Sequence, residues 1–178
     1  MRSVAVIAVP TGELAMVGTP DWTDHEFALA PGGYAEYPTR FPNDVTFTIG
    51  DDPAQSWSYI HPGPDDSWAG GRAHTYTLNV DLPTVRDLRL VVFLLDTHAT
   101  APGTVVVKLN GGTATTVALP AGGSAGHASG SAVDSGDIPS QFTVALPAAQ
   151  LVAGRNTITL DKATGSWLVY DAVGIYPA

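Results

Sequence analysis

The sequence predicts an all-β sandwich, and three observations predict it. Nineteen glycines and fourteen prolines punctuate the 178 residues, and the runs between them are short and rich in Val, Thr, Leu, Ile and Tyr, the composition of strands. Several of these runs alternate apolar and polar residues with a period of two. Apart from the stretch holding Leu88 to Leu95, which is apolar almost throughout and so shows no helical stripe, no window of eleven or more residues holds an i, i+3, i+4, i+7 apolar pattern free of Gly or Pro, which argues against long helices.

The clearest strand is His74-Thr75-Tyr76-Thr77-Leu78-Asn79-Val80, with Tyr76, Leu78 and Val80 on one face and Thr75, Thr77 and Asn79 on a wet one. Leu88 to Leu95 is almost continuously apolar, as a central strand covered on both sides must be. Residues 104–110 set Val105, Val107 and Leu109 against Thr104, Val106 and Lys108. Asn110-Gly111-Gly112 then tolerates the positive φ of a tight hairpin. Further strands are expected over 142–146, 156–160 and 167–175, with a turn at Gly154-Arg155-Asn156 and one helical turn over 147–151. Residues 121–136 are Gly, Ser and Ala with few anchors, a long loop.

Residues 1–43 are looser and are expected to form a connector packing on a sandwich made by residues 44–178. Within them, the apolar run Val4 to Val9 stops at Pro10, far short of the roughly 20 residues a membrane span needs. No small-residue cleavage site follows it. We read that run as a strand or the cut edge of a longer protein, and expect no membrane partner.

Composition removes several functions. With 17 acidic against 8 basic side chains the net charge is −9, and Lys108 and Lys162 are the only lysines. Nucleic-acid binding rests on cations that displace counterions, so that partner is not expected. At 44% apolar and 14% charged residues the chain should fold. It has no cysteine, hence no disulfide, thiolate zinc site or cysteine nucleophile.

Catalytic motifs are missing too. His25, His61, His74, His98 and His127 form no HxH or HxxxH pair, and no GxSxG, GxGxxG or Walker loop occurs. Asp51-Asp52 and Asp65-Asp66 are candidate acid–base pairs, but sequence neighbours seldom face each other across a substrate, and aspartates commonly open turns by bonding the backbone. No catalytic residue is assigned, and catalysis by this chain alone is not expected.

Residues 47–74 carry the most chemistry. Trp57, Tyr59, His61, Trp68, Arg72 and His74 fall within them, and aromatic faces interleaved with polar groups suit sugar rings, whose C–H faces stack and whose hydroxyls bond. These six are the candidate carbohydrate-binding residues. A buried aromatic cluster is the competing reading, favoured for Trp57 and evenly balanced for Trp68. Asp171, an acid inside the apolar run Val169 to Val173, must have a partner. Arg, backbone N–H groups or a structural calcium, with its about six to eight oxygen ligands, would each serve.

Several motifs in order resemble the C-terminal domain of family-4 polysaccharide lyases, the rhamnogalacturonan lyases. They are Gly18-Thr19-Pro20-Asp21 with Glu26-Phe27, YPTRFPNDVTFTI over 37–49, Gly50 with Asp52 and Trp57, VKLNG over 107–111, LVAGRNTITL over 151–160, and Tyr170-Asp171-Ala172-Val173. The resemblance covers about residue 13 to the end. It implies a jelly-roll β-sandwich like carbohydrate-binding modules, following the tail of a linker from a fibronectin-type domain. It also implies that the catalytic work belongs to a large N-terminal domain this chain does not contain. The sequence departs from the pattern between Val117 and Phe142, where an Arg-His-Gly type segment is replaced by the Gly/Ser-rich stretch.

The expectation is therefore a secreted, monomeric, noncatalytic module binding pectic or other plant cell-wall polysaccharide. Its charge requires either a local patch of Arg40, Arg72 and His74 or an uncharged target. The alternative is an accessory domain packed on a catalytic domain, with an exposed apolar patch around Trp22, Tyr34 and Tyr37.

Overall fold

The computed structural model describes residues 8–126 and 136–178 as a jelly-roll sandwich of two sheets. Residues 1–7 and 127–135, which include most of the Val4 to Val9 run and His127, lie outside the described residues.

In the first sheet β1 (Ala15–Gly18), β10 (Leu168–Pro177), β5 (Leu88–Thr97) and β8 (Ser140–Leu146) lie in that order, all antiparallel, and β3 (Ile60–His61) pairs with the start of β10. The second runs β2 (Val45–Thr48), β4 (Thr75–Leu82), β9 (Gly154–Thr164), β6 (Thr104–Leu109) and β7 (Thr115–Ala118). Here β2 joins β4 in parallel and the other pairs are antiparallel.

The core follows from the alternation. Tyr76, Leu78 and Val80 of β4 and Ile158 and Leu160 of β9 point inward against Leu90, Val92, Leu94, Val173 and Ile175 of the other sheet. β5 is covered on its second face as well, where Val91 and Phe93 pack with Ala172 and Tyr176 under Met16 and Trp22. That second cover explains the unbroken apolar run. Asn110 (φ 52) and Gly111 (φ 68) form the positive-φ turn between β6 and β7.

Two corrections concern the N-terminal third. Part of the expected connector is woven into the sandwich, because β1 extends the first sheet with Ala15 opposite Ile175, and Phe27, Tyr37 and Phe41 are core residues. Nor do Trp22, Tyr34 and Tyr37 form one exposed patch, since Tyr37 is fully buried and Trp22 is packed on the outer cluster. Only two α-helices are described, α1 (Tyr37–Arg40) and α2 (Pro53–Ser56), each of four residues.

The pairings define two poles. At one, β10 begins beside the end of β5, with Leu168 opposite Thr97, and β9 ends beside the start of β6. At the other, Pro177 lies opposite Leu88, and Gly154 opposite Leu82.

Candidate functional site

Four of the six expected sugar-facing residues are core. Trp57, Tyr59 and His61 are fully buried and His74 is 2% exposed. Trp57 meets Phe47, Tyr76 and Tyr170 edge to face at 5.1–5.8 Å between centroids, a geometry that aromatic quadrupoles favour. His61 stacks on Tyr76 at 3.7 Å, accepts the Tyr170 hydroxyl at Nδ1 and donates Nε2–H to the His74 carbonyl. Burial pushes this imidazole down to about 3, so it is neutral. Rings enclosed in this way have no face left for a ligand. Aromatic density in a sequence cannot separate a plug between two sheets from a surface platform.

Arg72 and His74 are also committed. The Arg72 guanidinium is bidentate to Asp44 at 3.0 Å, and His74 bonds the same carboxylate through Nδ1 and the Ala69 carbonyl through Nε2. Burial alone would raise the Asp44 carboxyl, but hydrogen bonds from His74, Arg72 and the Thr75 amide outweigh it and hold it well below the usual carboxylate range. Asp44 also accepts from the Tyr37 hydroxyl at 3.3 Å. It thus joins α1 to the segment that carries Trp68.

Trp68 alone of the six opens onto a cleft. It sits on the turn Ser67–Ala69, which Gly70 closes at φ 91. A cleft of about 180 Å³ is lined by Tyr34, Ile60, Trp68, Ala125, Gly126 and Trp167. Tyr34 meets Trp68 edge to face at 5.2 Å. Trp167 is backed by His98 at 5.6 Å, and the His98 Nδ1 accepts the Ala101 amide hydrogen at 3.0 Å. Asp66 holds the walls together: it accepts from the Gly63 amide and from the Ser166 hydroxyl, beside Trp167. Behind the walls, the buried Lys162 ammonium donates to the Pro102 and Thr164 carbonyls. Burial brings it down to about 8, against the charges of Asp66 and Asp65.

Sequence reasoning missed two of the three aromatic walls. Tyr34 was assigned to an interface patch and Trp167 to the start of a strand. Trp167 does precede β10 directly, and only the sheet pairing brings it near residue 68.

The Asp51-Asp52 pair serves the backbone. Asp51 accepts from Thr48, and Asp52 caps α2 by accepting from Ala54. Asp171 finds its partners in the amides of Trp22 and Asp21, at 3.0 and 3.3 Å on Oδ1, while Oδ2 is buried with no hydrogen-bond partner. Burial and then the charge of Asp21 push this carboxyl up to about 8, against the pull of the two amides. Among the described residues no three His, Asp or Glu side chains converge to hold a metal ion.

The architecture has counterparts among known proteins. A family model described as polysaccharide lyase family 4, domain III, CBM-like, matches residues 14–175. No curated protein matches the chain. Among solved structures it is similar to the Podospora anserina GH26-CBM35 β-(1,4)-mannanase, with 22% identity over 59% of this chain and 19% of that one, at a TM-score of 0.40. A family 35 carbohydrate-binding module from an environmental isolate gives 17% identity over 60% and 70%, also at 0.40. The CBM35 from Cellvibrio japonicus Abf62 gives 16% over 60% and 65%, at 0.39. The chain spans about a fifth of the length of the mannanase.

Proposed function

The chain belongs to polysaccharide lyase family 4, domain III, a CBM-like family, and from that premise we propose that it is a noncatalytic module holding pectic or other plant cell-wall polysaccharide at the Tyr34–Trp68–Trp167 cleft. The observation that carries the reading is the cleft itself: three aromatic side chains from three separate loops converge on a concavity at one pole of a rigid sandwich. A sugar ring presents C–H groups to such walls and turns its hydroxyls to solvent and backbone. The parent in this reading is an extracellular lyase of the rhamnogalacturonan type, whose catalytic domain does the cleaving. No step of the reading uses calcium.

Affinity electrophoresis in rhamnogalacturonan, and in other cell-wall polysaccharides, tests it. Wild-type protein is retarded and Trp68→Ala is not; unchanged migration of the wild type in every gel removes the reading.

The accessory-domain alternative draws on one observation. Val9 and Leu14 are 43% and 45% exposed near the free edge at β1, next to a concavity lined by Val9, Met16 and Tyr176. Self-association in sedimentation, with no retardation by glycans, would favour it.

A further inference from the structure

We infer that the cleft selects uncharged glycan segments over uronate-dense ones, and that Glu36 enforces the choice; this rests on the glycan-binding reading and names the chemistry of its ligand. The six residues lining the cleft carry no formal charge. The turn that supplies Tyr34 to it supplies Gly33 and Glu36 to a second, open concavity of about 480 Å³, floored by Leu29, Ala30 and Pro31. Glu36 is its single ionisable lining residue, and it is exposed. A chain lying across Tyr34 from one concavity into the other would meet aromatic faces, backbone and one negative charge.

A polyuronate would need a cation there, and neither concavity has one among its lining residues. Arg72 and His74 are paired with Asp44, and the exposed Arg40 donates to the uncharged Gln55 carbonyl and side chain. Lys162 is buried on two carbonyls, and His98 uses Nδ1 as an acceptor. Arg89 and Arg155 belong to the opposite pole, where they bond Pro177 and Asp81. No residue lining either concavity supplies the local positive charge that would reconcile a net charge of −9 with an acidic ligand. An uncharged ligand meets no such conflict, whereas a carboxylate brought beside Glu36 is repelled and left unpaired.

The test is titration calorimetry of the 178-residue chain with uncharged hexasaccharides (cellohexaose, mannohexaose and galactohexaose) and with hexagalacturonate, at low and at high salt. At low salt, at least one uncharged probe should bind about tenfold or more tighter than hexagalacturonate, with the gap narrowing as salt screens the repulsion. Glu36→Lys should raise hexagalacturonate affinity by about tenfold, and Trp68→Ala should abolish binding of the uncharged probe. Hexagalacturonate binding as tightly as every uncharged probe, through Trp68, would overturn the selectivity and leave the glycan-binding reading standing. Unaltered discrimination in Glu36→Lys would overturn the role of Glu36. Absence of heat with every probe would remove both readings.

Discussion

The Ser166 hydroxyl donates to Asp66 Oδ1 at 2.5 Å, and this bond ties the turn bearing Trp68 to the hairpin bearing Trp167. Two walls of the cleft thus share one carboxylate, whose other oxygen accepts from the Gly63 amide. Ser166→Ala leaves Asp66 Oδ1 buried without that donor, a loss of about 1–3 kcal/mol in urea unfolding. Glycan affinity should fall with it, because the two indoles lose their fixed spacing.

Trp57 and Trp68 should separate cleanly on mutation. Trp57→Ala removes a fully buried indole and is expected to cost about 3–5 kcal/mol of stability. Trp68→Ala removes a half-buried one and should cost less, while abolishing retardation in polysaccharide gels. Thermal melts run beside electrophoresis distinguish the two.

Asp44→Asn unpairs Arg72 and weakens the bond to His74. Arg72 is half exposed and His74 is buried, so the loss falls mainly on the charge-assisted bond to His74, about 1.5–3 kcal/mol. Asn also tolerates the left-handed backbone at this position (φ 60), so the loss measured by urea titration reports the pairing and not the turn.

Stability should respond to pH at two buried groups of opposite sign. The Asp171 carboxyl is raised to about 8 in the fold, against about 4 when unfolded. Its contribution is therefore full below pH about 4 and is lost as pH rises through 8. Asp171→Asn should flatten the fall in melting temperature between those limits.

His61 works from the acid side. Its imidazole is lowered to about 3, against about 6.5 unfolded. That contribution is complete above pH about 6.5 and lost as pH falls through 3. Unfolding at pH 5 should accordingly take up close to one proton at His61, read from the slope of stability against pH in the Asp171→Asn background, because in the wild type the proton that Asp171 releases offsets it.

Strands with a clean alternation were legible from the sequence: β4, β5, β6 and β9 lie where the pattern puts them, with β9 extended to Gly154–Thr164. β1, β2, β3 and β7 were not, since two to four residues are too few to show a period. Of the cleft, Trp68 was legible because Asp-Asp-Ser and Ala-Gly-Gly flank it as turn residues. Tyr59, His61 and His74 were assigned to the ligand, and Trp57 stood beside them although the core was favoured for it, because aromatic and polar residues interleave equally in a hydrogen-bonded core. Nothing local marks Tyr34 and Trp167 as neighbours; 133 residues separate them (167 − 34), and the register of the sheets closes that distance.

The pairing of Ala15 with Ile175 sets where the protein can be handled. Polypeptide enters and leaves the sandwich side by side, while Trp167 stands at the far end of β10, roughly 30 Å away at about 3.3 Å per residue. A dye, affinity tag or solid support coupled beyond Ala178 would hang from the base of the molecule, leaving the aromatic mouth turned outward and unobstructed.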